Sequence, residues 1–324
     1  MPLTFDFPLE QCKVYKGRNP RPADFDAFWD KALAEMHAVS PEVEMVRSDF
    51  RARGAECFDL YFTGVGGARI HAKFLRPEKS AGKHPAVLMF HGYSCNSGDW
   101  SDKLAYVSQG FSVAALDVRG QGGLSQDRSI VSGNTLHGQI VRGLDDALRG
   151  EPEKMVFRQI FLDTAELARI VMEMPDVDAD HVGVTGWSQG GGLTVACAAL
   201  EPRIRRAAPV YPFLSDYKRV WEMDLAKDAY NELKEYFRWF NPLHVNEPAV
   251  FEKLGYIDIQ HLAPRIKADV LWSIGLMDQI CPPSTQFAAY NKITSKKSLT
   301  IYPDFGHEGL PGLDDMIFSF LAGL

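Results

Sequence analysis

One stretch, Gly186-Trp187-Ser188-Gln189-Gly190, constrains this chain more than any other. It has the pattern G-x-S-x-G, and its neighbours give that pattern a mechanical meaning. His181 to Thr185, just before it, is short and β-prone; after it come Gly191-Gly192 and then Leu193 to Leu200, which is rich in Ala and Leu and helix-prone. A strand that turns sharply into a helix at a serine lifts the hydroxyl above the sheet edge. Flanking glycines let the backbone take a turn that a Cβ would obstruct. The start of the helix then offers its N–H groups and positive dipole end to negative charge forming beside Ser188. Read alone, the same residues also describe a glycine-rich turn that holds a serine.

Where such an elbow is catalytic, an acid and then a histidine follow it along the chain. Ala268 to Gly275 reads as a buried strand, and Asp278 lies in the loop at its carboxyl end, where open α/β sheets keep their ligands. Asp269 opens the same strand at the wrong end and is the weaker candidate. Ser298 to Tyr302 reads as another strand, followed by Pro303-Asp304-Phe305-Gly306-His307-Glu308. Of nine histidines, His307 alone follows Asp278. Three residue types in the right order, each just past an expected strand, select the catalytic reading over the bland turn.

The chemistry requires these types. A serine hydroxyl is a poor nucleophile until a base takes its proton, which an imidazole does near neutral pH. A carboxylate holds that imidazole in one tautomer and stabilises the imidazolium as it forms. Two backbone N–H groups must bind the oxyanion of the tetrahedral intermediate. Gln189, next to the nucleophile, supplies one in this reading. The second is assigned to Tyr93, because Pro85 to Phe90 reads as a strand and Gly92 after it allows close backbone approach. His91 is read as a packing and hydrogen-bonding residue rather than a second base.

Hydrophobic residues make up 46% of the 324, and charged ones 24%, proportions of an ordinary globular protein. The net charge of -7 is spread without runs, which argues against nucleic acid or an anionic membrane as partner. Five cysteines, an odd number without C-x-x-C spacing, read as free thiols in a reducing compartment. Met1 to Phe7 lacks a basic, then apolar leader pattern, and no apolar run approaches a membrane span. The expectation is a cytoplasmic protein.

Phe25 to Val39 reads as an amphipathic helix after a polar, proline-bearing arm. Cys57 to Phe62 and Ile70 to Leu75 alternate around Gly64, Gly66 and Gly67, a hairpin pattern. From Pro85 onward, solid apolar strands alternate with helices: Val87 to Phe90, Val113 to Leu116, Val182 to Thr185, Ala207 to Tyr211, Val270 to Ile274 and Leu299 to Tyr302. Such a series predicts a mostly parallel central sheet with helices on both faces. Helices are expected over Gln159 to Glu173 and Asp314 to Leu321. Gly120 to Lys154 shows no apolar period and reads as a long ordered loop. Pro212 to Pro264 is dense in aromatics and reads as a lid, a subunit contact, or a helical cap with its own core.

Taken together, Arg119-Gly120-Gln121, Gly186-Trp187-Ser188-Gln189-Gly190, Gly275-Leu276-Met277-Asp278, Cys281-Pro282-Pro283-Ser284 and His307-Glu308 resemble the acetyl xylan esterase and cephalosporin C deacetylase family, carbohydrate esterase family 7. The likeness extends from Phe25-Asp26-Ala27-Phe28-Trp29 to the last helix. It implies one α/β-hydrolase domain over 1–324, with an N-terminal arm and helix in 1–50 and a helical insertion at 212–264. It further implies Ser188, Asp278 and His307 as the catalytic triad, Tyr93 and Gln189 as oxyanion donors, and Arg119, Gly120 and Gln121 as structural residues near the site. No metal or cofactor is implied. The implied substrates are small acetylated sugars, with cephalosporin C as a promiscuous one, and the implied assembly is a homohexamer.

Three rivals share these features: a general short-chain carboxylesterase, a prolyl-oligopeptidase-like serine peptidase, and a non-catalytic α/β-hydrolase binding protein. The peptidase class normally adds a propeller or a large N-terminal domain, for which the first 85 or so residues are too few. A binding protein has no need to retain the full set of catalytic residue types, and none is missing here.

Overall fold

Ala86-Val87-Leu88-Met89-Phe90 is apolar on both sides of the pleat, so it fits only a sheet covered on both faces. The computed structural model describes residues 5–79, 82–133 and 138–324 and contains that sheet. Its nine strands are β1 (Glu44–Arg47), β2 (Ala55–Thr63), β3 (Arg69–Pro77), β4 (His84–Phe90), β5 (Ser112–Leu116), β6 (Val177–Trp187), β7 (Arg206–Val210), β8 (Asp269–Gly275) and β9 (Lys297–Tyr302), in the order β1-β2-β3-β5-β4-β6-β7-β8-β9. Pairing is antiparallel from β1 through β3 to β5, and parallel from β5 through β4 to β9. The expected hairpin is β2 with β3, turning at Gly66 and Gly67, whose φ of +77° and +75° suit residues without a Cβ. β1 escaped the sequence reading because all four of its residues are exposed and give no alternation.

Alternate residues of β4 divide between two buried clusters. Ala86, Leu88 and Phe90 pack with the helices Phe25–Ala38, Val156–Met172 and Gln189–Leu200, while Val87 and Met89 pack on the other face with Leu313–Ala322. In the first of these helices, Phe25, Trp29, Ala32 and Met36 fall on one stripe and are all buried. The helix expected to begin at Gln159 begins at Val156, and the last helix is one residue longer at each end than expected.

Two segments differ from the reading. The stretch read as a long ordered loop, 120–154, carries the short helix Leu144–Leu148 and a 3-10 turn at Pro152–Lys154, with Ile140, Val141, Leu144 and Ala147 buried. Five helical residues are too few to show a period; residues 134–137 of this stretch lie outside the described ones, as do Met1 to Thr4 of the segment read for a leader. Pro212 to Pro264 is helical, but it has no core of its own, which departs from the reading of a cap with a separate core. Helices Tyr217–Glu222, Asn231–Phe240 and Glu247–Leu254 bury Phe213, Tyr217, Tyr230 and Phe237 in the same cluster as the sheet. Among the described residues no helix is long and apolar enough to cross a membrane.

From β4 the chain goes first to β5 on one side and then to β6 on the other. That reversal opens a crevice at the carboxyl ends of the strands. The arrangement is the expected α/β-hydrolase one.

The loop after β5 is pinned by a buried ion pair. Arg119 donates through Nε and Nη2 to the Asp163 carboxylate, both at 2.6 Å, and through Nη1 to the Val65 carbonyl at 3.2 Å. Three elements, the β5 loop, the helix Val156–Met172 and the β2–β3 turn, therefore meet on one guanidinium. Asp163→Asn should leave that cation uncompensated and cost about 3–5 kcal/mol of stability, measured by urea unfolding. Arg119→Lys should lose much of the same stability, since an ammonium cannot make the forked pair; a loss below about 1 kcal/mol in either variant would show the pair to be dispensable, as surface pairs are.

Candidate active site

Ser188 sits between β6 and the helix Gln189–Leu200 with φ +58° and ψ -118°, a conformation that L-residues rarely adopt. The surrounding glycines explain how the chain tolerates it. A Cβ on Gly186 would meet the Phe90 carbonyl oxygen at 2.6 Å, one on Gly190 would collide with that same oxygen, and one on Gly191 would meet the Val210 oxygen at 2.5 Å. The backbone locks the turn: Ser188 N–H donates to Val210 at 3.1 Å, and its carbonyl accepts from Gly192 and Phe213, both at 3.0 Å.

The two downstream candidates converge on this serine. His307 Nε2 lies 2.9 Å from Ser188 Oγ, and His307 Nδ1 lies 2.8 Å from Asp278 Oδ2. Asp278 is fully buried, and its other oxygen accepts from the backbone of Ile280 at 2.9 Å and Cys281 at 2.8 Å. The loops that carry the acid and the base are knitted together, with Leu276 N–H donating to Tyr302 at 3.0 Å and Met277 N–H to Phe305 at 2.9 Å. Asp269 stands at the far end of β8 and pairs with Lys296 instead. The arrangement can pass a proton from Ser188 to His307 while Asp278 holds the ring by its Nδ1–H.

Tyr93 and Gln189 follow the adjacent parallel strands β4 and β6, whose ends are in register at Phe90 and Gly186. Among the described residues, neither backbone N–H donates to a protein acceptor, as suits donors that wait for a ligand. Gln121 bridges the two loops: its Oε1 accepts from Ser94 N–H at 2.9 Å, and its amide meets the Gln189 amide at 2.7 and 3.0 Å. Gly120, at φ +67°, gives its carbonyl to Gln139 Nε2 at 3.2 Å. Through these bonds the Arg119-Gly120-Gln121 element ties the loops together. His91 accepts at Nε2 from Val118 N–H (2.9 Å) and donates from Nδ1 to its neighbour's carbonyl (2.7 Å). Burial lowers its pKa, which keeps the ring neutral and structural.

Aromatic rings crowd the nucleophile. Trp187 packs edge-on to Tyr211 at 5.4 Å, Tyr211 lies 4.4 Å from the His307 ring, and Tyr93 meets Phe213 at 5.7 Å. Beneath Trp187, a cavity of about 750 Å³ opens between the sheet and the last helix, lined by Met89, Tyr106, Asp314 and Phe318 among others. None of Ser188, Asp278 and His307 lines it, so it is separate from the chemistry.

Asp278, Cys281 and His307 are the group of metal-ligand types in the described residues, with ligand atoms within 4.8 Å of one another. Of these, Asp278 and His307 are engaged with each other, with Ser188 and with backbone N–H groups, as a proton-transfer chain requires. Burial and the Asp278 carboxylate push the Cys281 thiol well up, so beside Ser188 it is a neutral group and no rival nucleophile. Sequence reasoning quoted Cys281 only as part of a motif. It also missed Asp163, although a lone carboxylate within Phe161-Leu162-Asp163-Thr164-Ala165 signalled a buried cation nearby.

The acetyl xylan esterase (AXE1) family model matches residues 1–324. Acetyl xylan esterase 1 from Thermoanaerobacterium sp. JW/SL YS485 is 60% identical, with TM-score 0.95 over 98% of this chain and 99% of that one. The acetyl xylan esterase from Paenibacillus sp. R4 is 36% identical, with TM-score 0.92 over 98% and 99% of the two chains. Acetyl esterase Axe7A of Xylanibacter ruminicola (strain ATCC 19189 / DSM 19721 / CIP 105475 / JCM 8958 / 23) is 28% identical over 90% of this chain, which spans 64% of the length of that relative. With the elbow, the strand order and the matched length all in agreement, the chain belongs to the acetyl xylan esterase family, a family of carboxylic ester hydrolases.

Proposed function

We propose that this chain, acting as one unit over 1–324, is a serine esterase that removes acetyl groups from small acetylated sugars and comparable esters. The observation that carries the reading is the hydrogen-bonded chain from Asp278 through His307 to Ser188 at a strained elbow. Ser188 Oγ attacks the acetyl carbon as its proton passes to His307 Nε2. The N–H groups of Tyr93 and Gln189 take the oxyanion. His307 then gives the proton to the leaving alkoxide, which departs as the alcohol, and an acetyl-enzyme remains on Ser188. Water, deprotonated by His307, releases acetate by the same path.

The acetyl preference is supported by the large rings gathered at the elbow and base: Trp187 next to Ser188 and packed on Tyr211, Tyr211 against His307, and Tyr93 against Phe213. An acetyl ester such as that of cephalosporin C presents the same group. We place the protein in the cytoplasm, where its five free thiols, four of them buried, stay reduced. We further propose a homohexamer. Exposed apolar residues suited to subunit contacts occur in both segments singled out in the sequence: Trp239, Leu243 and Val245 in the insertion, Leu124 and Ile130 in the 120–154 stretch.

Ser188→Ala should abolish turnover and leave the fold intact, and Asp278→Asn should lose on the order of 10⁴ in kcat through the wrong histidine tautomer. Ester hydrolysis by Ser188→Ala at the wild-type rate would remove the nucleophile assignment. On p-nitrophenyl esters kcat/KM should fall from acetate to propionate and steeply at butyrate, because each rejected methylene costs about 1–3 kcal/mol. Equal activity on octanoate would instead mark a general carboxylesterase, and cleavage of prolyl peptides a peptidase. Light scattering should give the mass of six 36.2 kDa chains, and a single-chain mass at micromolar concentration would rule the hexamer out.

A further inference from the structure

The insertion reaches the oxyanion loop through one carboxylate. Glu232 lies in the first turn of the helix Asn231–Phe240 and is 8% exposed. It accepts a short hydrogen bond from the Tyr93 hydroxyl. The same carboxylate accepts from three successive backbone N–H groups: Gln139 at 2.9 Å, Ile140 at 2.7 Å and Val141 at 3.1 Å. Gly138 is held against it at φ +74°, where a Cβ would collide with the carboxylate. A buried carboxylate that gathers four donors is costly to leave incomplete. Burial and the Glu232 charge push the Tyr93 phenol up, so it stays a donor.

Two routes lead from Glu232 to the oxyanion donors. The direct one runs through the Tyr93 side chain, whose ring is also buttressed by Phe213, itself tied by its N–H to the Ser188 carbonyl at 3.0 Å. The indirect one runs through Gln139, whose Nε2 donates to Gly120 at 3.2 Å, next to the Gln121 that clamps Ser94 and Gln189. Tyr93 is thereby fixed on both sides, by its own hydroxyl and by the N–H of the next residue. Fixed donors are what make an oxyanion hole effective, since they cost no reorganisation as charge develops.

We infer that Glu232 is a positioning residue for the oxyanion hole, through which the helical insertion sets the placement of the Tyr93 amide and hence the rate of acyl transfer. The inference rests on the proposed esterase reading. Glu232→Gln keeps the shape but turns an NH2 toward donors. Counted per active site by fluorophosphonate labelling, it should lower kcat for p-nitrophenyl acetate at least about tenfold, short of the ~10²–10³ of a lost oxyanion donor. KM should stay within about twofold, as for an interaction made only in the transition state. A methyl trifluoromethyl ketone, whose serine adduct needs the oxyanion hole, should bind more weakly by the same factor as kcat/KM falls. A purely structural role would lower the number of labelled sites and spare both per-site quantities. Tyr93→Phe, which removes one hydroxyl, should show the same kcat-only loss, and adding it to Glu232→Gln should lower kcat no further. Wild-type per-site kcat in Glu232→Gln, or a change confined to KM, overturns the inference; if that variant does not fold, wild-type kcat in Tyr93→Phe overturns it. Failure of the wild-type protein itself to be labelled would instead overturn the esterase reading.

Discussion

Everything at the site depends on how closely the helix Gln189–Leu200 approaches the sheet. A Cβ at Gly190 would run into the Phe90 carbonyl of β4, and one at Gly192 would meet the Phe213 carbonyl at 2.6 Å. Bare backbone at these positions lets the helix start directly above the strand ends. Ser188, in the turn between strand and helix, takes its positive φ there. The turn that strains the backbone also leaves the hydroxyl 2.9 Å from His307 Nε2, with Gln189 opening the helix next to it. Strain, hydroxyl direction and the start of the helix are thus one geometric fact.

The polar groups around this turn form a graded system. Asp278 is buried with its oxygens committed to two backbone donors and one imidazole, which leaves His307 a single partner to act on. Gln121 and Glu232 work one layer out, on the loops that carry amides rather than on the reacting groups. Arg119 and Asp163 work further out again, on the β5 loop that presents Gln121. On the proposed reading, loss at each layer differs in kind: chemistry fails at the first, alignment at the second, stability at the third.

The chain announced the site more clearly than the frame around it. Ser188, Asp278 and His307 were legible because each follows an apolar strand, and chain order narrowed the candidates to one histidine. Tyr93 was singled out from a strand and a glycine alone, and it follows β4, whose end is in register with that of β6. Glu232 was not: its four donors come from residues 91 to 139 positions away, and no local pattern records such a meeting. β1 was hidden because an exposed edge strand has no inward face to mark. The helix Leu144–Leu148 was hidden by its brevity. The aromatics of Pro212 to Pro264 were seen but left three readings open, because density of rings says that something is covered without saying what covers it.

The three consecutive glycines of the nucleophile helix bear on how the protein folds. Gly190, Gly191 and Gly192 each disfavour helix by about 1 kcal/mol relative to alanine, so the sequence Gln189 to Leu200 starts a helix poorly on its own. What holds it in place is tertiary: Leu193, Val195, Ala196, Cys197 and Leu200 are buried in the main core, and most helical stability in proteins comes from such packing rather than from propensity. The bare first turn thus trades intrinsic helix stability for the close approach that the elbow needs, and the core packing of the later turns carries the cost.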